Sequence, residues 1–236
     1  MLRATSRSCS RSLRSAPLAL GVALAAAFVA TGARADESWR ALSRDDGIAV
    51  SERDVAGSPL PDFRGEIEIA ADAYEILAVI LDVPAQTKWM WQCRESRVLA
   101  SESDSVSLLY QVIHAPWPAA DRDVVLRGEA RVIAPGRLLV RFASHEDTAV
   151  PPVADFVRML RLDGEFELVA LDPTRTRVTY TLAADPGGTL PLLFRRKTLR
   201  ESLFDTLVGL RRRVSETRGQ YADVAAHWRT RAAGPR

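Results

Sequence analysis

Few side chains in this sequence are of the types that catalyse reactions or bind metals. The three histidines, His114, His145 and His227, share no metal-ligand spacing, and no cluster of cysteine and histidine suits zinc. Cys93 is better interpreted as a small buried hydrophobic residue than as a nucleophile. The nucleophile motif G-x-S-x-G does not occur. We therefore expect no catalytic residue, no metal and no cofactor, with His114 as the best remaining acid–base candidate.

One loop between two predicted strands is stiff and carries charges at its base. The residues that we interpret as a gate are Pro116, Trp117, Pro118, Arg122 and Asp123. The two prolines fix two backbone dihedrals and remove two donors, so that Trp117 is presented at a defined place. Asp121 and Asp123 flank Arg122 and are expected to hold the base of the loop by charge-assisted hydrogen bonds. The tryptophan either plugs one end of the core or forms a gate that contacts a ligand or a membrane.

Alternation of apolar and polar residues predicts the strands that position this loop. The apolar faces fall in the ranges 63–69, 108–112, 126–132, 138–142, 160–168 and 178–182. Short turns separate most of these strands, which implies antiparallel neighbours. Each strand is apolar on one face and charged on the other, so one side of the sheet faces water and the other side is covered.

Helical spacing predicts the elements that cover the sheet. The predicted helices span 37–45, 71–81, 189–218 and 221–231. Asp72 is the expected N-cap of the second helix, and Pro84 closes it. The third helix carries a stripe at 199, 203, 207, 210 and 214, and it is long enough to cover a curved sheet. Small residues on the inner face, Gly128, Ala130 and Gly164, leave two alternatives open: a filled core or a cavity.

The first 35 residues have the pattern of a targeting segment. Four arginines precede an uncharged run at 17–30, and small residues stand three apart before Asp36. This order predicts a secretory signal peptide cleaved after Ala35, because the apolar run is shorter than the roughly 20 residues that span a bilayer. Cys9 leaves with it, so Cys93 has no intrachain partner. We expect a soluble protein in the periplasm or outside the cell.

Composition then limits the partners of the remaining chain. The first 35 residues hold 5 of the 32 basic residues and none of the 30 acidic ones, which leaves 27 basic and 30 acidic residues and a net charge near −3. A nucleic-acid binder shows a basic surplus, so this class is excluded. The predicted organisation is a signal peptide at 1–35, one domain at 36–231 and a disordered tail at 232–236.

Several of these motifs together resemble a known family. They are Trp89, the Pro-Trp-Pro loop with its Asp-Arg-Asp base, Tyr180, the run Asp-Pro-Gly-Gly at 185–188 before the long helix, Gly47-Ile48 and Gly57-Ser58. In this combination the chain resembles a START domain, one of the lipid-transfer domains related to the steroidogenic acute regulatory protein. The resemblance extends from Trp39 to Val214.

The resemblance implies a fold and a site. The fold would be α+β of the helix-grip type: a curved antiparallel sheet wrapped around the long C-terminal helix, in one domain with an internal apolar cavity for one lipid. The expected lipid-binding residues are Leu108, Tyr110, Val112, Trp117, Leu126, Phe142, Phe166, Tyr180, Leu199, Leu203 and Leu207. Gln111 and Arg127 are candidates to meet the polar end of the lipid, although alternation places both on the outer face.

The function implied is binding and transfer of a sterol, hopanoid, fatty acid or phospholipid without catalysis. The protein would be a monomer that contacts a membrane surface transiently. Two alternatives remain: a cyclase or hydratase that folds a polyketide-like substrate in the same cavity, and a lipid sensor whose gate recruits a partner protein.

Overall fold

The computed structural model describes residues 38–115, 117, 119–147, 150–159 and 161–233. The predicted signal peptide, Pro116, Pro118 and Leu160 lie outside the described residues. The strands are β1 (Arg40–Asp45), β2 (Ile48–Arg53), β3 (Asp62–Ile69), β4 (Cys93–Ser103), β5 (Val106–Ile113), β6 (Arg122–Ala134), β7 (Arg137–Ser144), β8 (Val157–Arg158), β9 (Arg161–Asp172) and β10 (Arg175–Asp185). The helices are α1 (Ala73–Leu81), α2 (Leu192–Glu216) and α3 (Ala222–Ala232), with a 3-10 helix at Val83–Lys88.

The strands form one sheet in the order β1-β2-β3-β10-β9-β7-β6-β5-β4, and β8 pairs with β6. All pairings are antiparallel except that of β8, as the short turns predicted. The chain is therefore the α+β fold that we expected, with a curved sheet and a long C-terminal helix. None of the described helices is both long and apolar enough to cross a bilayer.

The prediction of a helix at 37–45 is wrong, because Arg40–Asp45 form strand β1. Asp45 and Ile48 are directly paired, so only Asp46 and Gly47 form the turn to β2. Both turn residues have positive φ, 47° and 75°. This is the two-residue Asp-Gly turn that favours a hairpin, and it overrides the helical spacing of the flanking residues.

The strand β4 was not predicted either. It lies at the edge of the sheet, where most of its residues are exposed and polar, so its sequence lacks a clear apolar alternation. The remaining predicted strands are present.

The faces of β5 are the reverse of our prediction. Leu109 and Leu126 are paired and belong to the main core, whereas Tyr110, Val112 and Val125 form a separate cluster on the other side of the sheet. Val150 and Phe156 pack against this second cluster. Both faces of β5 are therefore apolar, which removes the contrast on which a face assignment depends.

The helices α1, α2 and α3 were predicted, with small differences at their ends. The side chain of Asp72 accepts hydrogen bonds from the backbone N–H groups of Tyr74 and Glu75, which caps α1 as expected. The helix α2 begins at Leu192, later than predicted. The last helix includes Ala232, which we had assigned to the tail.

The helix α2 lies over only part of the sheet. It contacts β2, β3, β10 and α1. A Cβ on Gly65 of β3 would overlap Leu207, and a Cβ on Gly209 would overlap the carbonyl oxygen of Trp89. Glycine at both places lets the helix approach closely on this side. The space between α2 and the strands beyond β10 is filled less completely, and the cavities described next lie there.

Candidate functional site

The main cavity has a volume of about 490 Å³ and lies between the first half of α2 and the sheet. Its apolar wall comes from many parts of the chain. The segment after the 3-10 helix, β5, β9–β10 and α2 all contribute, among them Met90, Ile113, Leu162, Tyr180, Leu182 and Leu199. A volume of this size lies within the usual range of about 300–1,000 Å³ for small-molecule sites.

A second space, the rear cavity, adjoins the main cavity and has a volume of about 260 Å³. Met90, Gln111 and Phe142 line both cavities. Gly128 and Ala130, whose small size had left a filled core and a cavity as alternatives, line the rear cavity. Gly164 has a different role, because a Cβ there would overlap the ring of Phe142, which occupies the space that this glycine leaves.

Aromatic rings form the wall around Tyr180. The rings of Phe166 and Tyr180 stack with centroids 4.2 Å apart, and the ring of Phe142 lies 6.3 Å from that of Tyr180. Burial raises the pKa of the Tyr180 hydroxyl, so this group stays neutral. The wall is apolar and uncharged here, which suits a hydrocarbon ligand.

The mouth of the main cavity is the edge at Trp117 and Phe194. Both line the cavity, yet their side chains are 92% and 61% exposed, and Leu193, which precedes Phe194 on α2, is 80% exposed. Trp117 therefore does not plug the core. Large apolar side chains exposed together are uncommon on a monomer and mark a surface that contacts something apolar.

The loop that carries Trp117 is held at its base by Asp121. The carboxylate accepts hydrogen bonds from the backbone N–H of Ala115 at 3.0 Å and from Arg94 at 2.8 Å, and it lies 2.9 Å from His114 Nδ1. The Ala115 N–H, and then Arg94 and His114, lower the pKa of Asp121. The predicted role of Asp121 at the loop base fits these contacts.

Arg122 and Asp123 do not pair with each other as we expected. Asp123 is fully buried on the outer face of the sheet, where Arg158 donates to both carboxylate oxygens at 3.0 and 2.8 Å. Arg122 lines the main cavity and donates to the backbone carbonyls of Ala120 and Pro186. Successive residues of a strand point to opposite faces, which separates the two charges.

The two candidates for the polar end of a lipid lie in different places. Arg127 is exposed on the outer face and donates to Glu102 at 2.9 Å, so it does not reach the cavity. Gln111 is buried and lines both cavities, contrary to our face assignment. Its Nε2 donates at 2.6 Å to Gln86, whose Oε1 also accepts from Ser96 at 2.8 Å.

The other expected lipid-binding residues divide into three groups. Phe142, Tyr180, Leu199 and Trp117 line the main cavity, and Leu126 and Phe166 line the rear cavity. Leu203 and Leu207 are fully buried where α2 meets Gly65, and neither lines a cavity. Leu108 lies on the same face of β5 as Tyr110 and Val112, away from both cavities.

Sequence reasoning missed Phe194 at the mouth and its exposed neighbour Leu193. Neither residue fits the apolar stripe of α2 that begins at Leu199, and this misfit was the available signal.

The site offers little for catalysis. Burial raises the pKa of the Cys93 thiol to about 12, which makes it a poor nucleophile at neutral pH. Among the described residues, no three or more His, Cys, Asp or Glu side chains form a group that could hold a metal ion. The pair of His114 and Asp121 is the one acid–base arrangement that we find in the described part of the cavity wall.

A sheet that grips a helix over an apolar cavity defines the helix-grip class, and comparison with known proteins gives the family. The START domain model matches residues 21–219 of the chain, which therefore belongs to the START family, whose domains bind lipid ligands. The matched range begins inside the predicted signal peptide, ahead of β1.

Relatives support the assignment. An uncharacterized protein of Pseudomonas aeruginosa is 31% identical over 194 residues, which are 82% of this chain and 95% of that protein. A STAR-related lipid transfer protein fragment from Xanthomonas axonopodis is 33% identical, with a TM-score of 0.69 over 75% of this chain and 98% of that chain. Human StAR-related lipid transfer protein 5 is 19% identical, with a TM-score of 0.69 over 78% of this chain and 89% of that chain, and shows the shared fold.

Proposed function

We propose that this protein takes a lipid from a membrane into the main cavity, carries it and releases it at another membrane, with no chemical step. The observation that carries the proposal is the apolar cavity of about 490 Å³ whose mouth exposes Trp117 and Phe194. The lipid transfer named for the Xanthomonas relative supports it.

The energetics of a lipid in this cavity explain why no reaction is needed. Removing one methylene from water is worth about 0.8 kcal/mol, so a sixteen-carbon chain gains about 12 kcal/mol. A bilayer offers the same gain, and net transfer between membrane and protein is therefore close to neutral. The barrier is the exposed intermediate, and a protein that opens an apolar mouth at the bilayer lowers it.

The surroundings of the mouth fit a membrane surface. Trp117, Leu193 and Phe194 are apolar and exposed, and tryptophan favours the interface between lipid and water. Lys197 and Arg200 lie on the exposed part of α2 that follows Phe194, where Lys197 also pairs with Glu201 at 3.6 Å, and their positive charge suits anionic headgroups. We assign the loop of Trp117 as the gate through which the lipid enters.

Replacing Trp117 by alanine tests the proposal. The change removes apolar surface worth at least roughly 1.4 kcal/mol at the interface, so transfer of a fluorescent lipid between vesicles should slow by about tenfold. The stability to urea should stay within about 0.5 kcal/mol of the wild type, because the side chain is exposed.

Ile133→Ala is the matched control, because Ile133 is half-exposed on β6 and lines neither cavity. Labelled sterol, fatty acid and phospholipid are each supplied in donor vesicles. Carriage is refuted when the wild-type protein accelerates the transfer of none of them. The gate is refuted when Trp117→Ala transfers lipid as fast as Ile133→Ala.

A catalytic function on the same fold is the second candidate, and His114 beside Asp121 at the cavity wall is the observation that favours it. A cyclase or hydratase would turn over a polyketide-like substrate and lose this activity in His114→Ala. A lipid sensor would instead bind lipid without accelerating its transfer.

We also propose that the chain is exported and cleaved after Ala35, which places lipid exchange in the periplasm or outside the cell. The intact mass of the protein recovered from a periplasmic fraction tests this. A mass that retains residues 1–35 contradicts it.

A further inference from the structure

Arg122 is a buried cation in the wall of the main cavity. Its side chain lies at the base of the Trp117 loop, and the residue is only 5% exposed. No carboxylate of the described residues lies within ion-pair distance of its guanidinium. Burying a charge without a partner is costly, so its presence in a cavity wall calls for an explanation.

The acidic residues nearest to Arg122 are already engaged. Asp121 accepts hydrogen bonds from the backbone N–H of Ala115 and from Arg94, and it lies against His114. Asp123 accepts from Arg158 on the other face of the sheet. The charge of Asp121 raises the pKa of Arg122, but neither aspartate forms an ion pair with its guanidinium.

The guanidinium has donors to spare. Of its five N–H groups, Nε donates to Pro186 O at 3.3 Å and Nη1 donates to Ala120 O. Its Nη2 has no acceptor among the described residues and lies beside Gly188, which has no side chain. These two backbone bonds fix the direction of the group and leave its outer nitrogen available to a ligand.

A second cation strengthens the positive field at this end of the cavity. Arg195 of α2 also lines the main cavity, and its own carboxylate partner is Asp185 at 3.0 Å. Burial, and then the charge of Arg195, lowers the pKa of Arg122. An anion beside Arg122 would oppose both effects by stabilising the charged guanidinium.

We propose that the lipid carried by this protein has an anionic end, a carboxylate or a phosphate, which binds Arg122 just inside the mouth while the hydrocarbon fills the apolar wall around Tyr180 and Leu199. The inference rests on the proposed lipid carriage and narrows its ligand: fatty acids and phospholipids fit, whereas uncharged sterols and hopanoids do not. A charged guanidinium meets oxyanions with strong, directed hydrogen bonds.

Gln111 is the competing position for the polar end. It lies where the two cavities meet, and its Nε2 is already engaged by Gln86. Because Gln111 is neutral, a lipid bound there by its polar end would show little preference for an anion over a hydroxyl. The two positions therefore predict different ligand preferences.

The test compares ligands that differ only at the polar end. Hexadecanoic acid and hexadecanol, at a pH where the acid is ionised, each displace a fluorescent lipid from the purified protein. A second pair, lysophosphatidic acid and monoacylglycerol, separates a phosphate from a carboxylate source. We expect the wild-type protein to bind at least one anionic member about tenfold or more tightly than its neutral partner.

Variants assign the preference to a residue. Arg122→Met should bring the ratio of the two affinities close to one while the neutral ligand still binds, and Arg122→Lys should keep part of the preference. Arg127→Met is the matched control, because Arg127 is on the same strand but exposed on the outer face. It should leave the ratio unchanged.

Three results would overturn the proposal: equal affinities for anion and alcohol in the wild type, a preference that survives in Arg122→Met, or a preference that disappears in Gln111→Met instead. If Arg122→Met does not fold, the wild-type ratio still decides whether the ligand is anionic, and Arg122→Lys tests the assignment to Arg122. Binding of neither member by the wild type refutes lipid carriage itself, so the two failures are distinguishable.

Discussion

At the scale of a single residue, the pKa of Cys93 shows how far water is excluded from the cavity wall. Its thiol is buried, lines the main cavity and has a pKa raised to about 12, chiefly by burial. Because the raised pKa belongs to the folded state, the neutral thiol contributes stability below its ordinary pKa near 8.5, and this contribution is lost as the pH rises toward 12.

We therefore predict that Cys93 reacts slowly with iodoacetamide at pH 8. A thiol with this pKa is ionised to only about one part in ten thousand, and the thiolate is the reactive form. The rate is followed by mass spectrometry on the peptide that contains Cys93, with the protein in guanidinium as the reference. Equal rates in the two conditions would mean that water reaches this wall freely.

Individual residues also show what the sequence reveals of a site. Trp117 is exposed, which excludes the core plug, one of the two alternatives that the sequence left open. The partners of Arg122 were not predictable in the same way, because its acidic neighbours in sequence point to the other face or bond the loop. Gln111 was placed on the wrong face because β5 is apolar on both sides.

At the scale of elements, the close contact of Gly209 with Trp89 fixes the position of α2, and a substitution of Gly209 tests this contact. A Cβ there would overlap the backbone oxygen of Trp89, which has little freedom to move. Gly209→Ala should destabilise the protein by about 1–3 kcal/mol, even though alanine favours a helix by roughly 1 kcal/mol. Urea unfolding measures the difference.

Ser215→Ala is the control for this substitution, since Ser215 is exposed on the same helix. It should change the stability by no more than about 0.5 kcal/mol. A more stable Gly209→Ala variant would show that α2 stands further from Trp89 than described.

Elements were predictable where periodicity and end signals agreed. Asp72 and the apolar spacing after it identified α1, and the stripe from Leu199 identified α2. The strand β1 was predicted as a helix because the apolar residues of 37–45 have helical spacing, whereas the Asp46-Gly47 turn fixes a hairpin there. The edge strand β4 has too few buried residues to show alternation.

At the scale of the whole molecule, the START resemblance predicted the fold, but the residues alone left the cavity undecided. The cavity depends on where α2 lies, and that is set by contacts far apart in sequence, at Gly65 of β3 and at Trp89. With α2 drawn to that side, the wall near Ile113 and Leu162 is left without a helix against it. Volume of this kind has no signature in local sequence.

Native mass spectrometry most directly tests whether the main cavity holds a lipid. The protein is incubated with vesicles of phosphatidylethanolamine and phosphatidylglycerol that contain hexadecanoic acid, and is then separated from them. We predict one lipid per chain for the wild type and for Ser215→Trp, which adds the same bulk to an exposed position of α2. Ser202→Trp, which fills the main cavity from the same helix, should bind none while remaining folded by circular dichroism. A wild-type protein that stays empty, or a folded Ser202→Trp variant that carries as much lipid as the wild type, would contradict the assignment of this cavity.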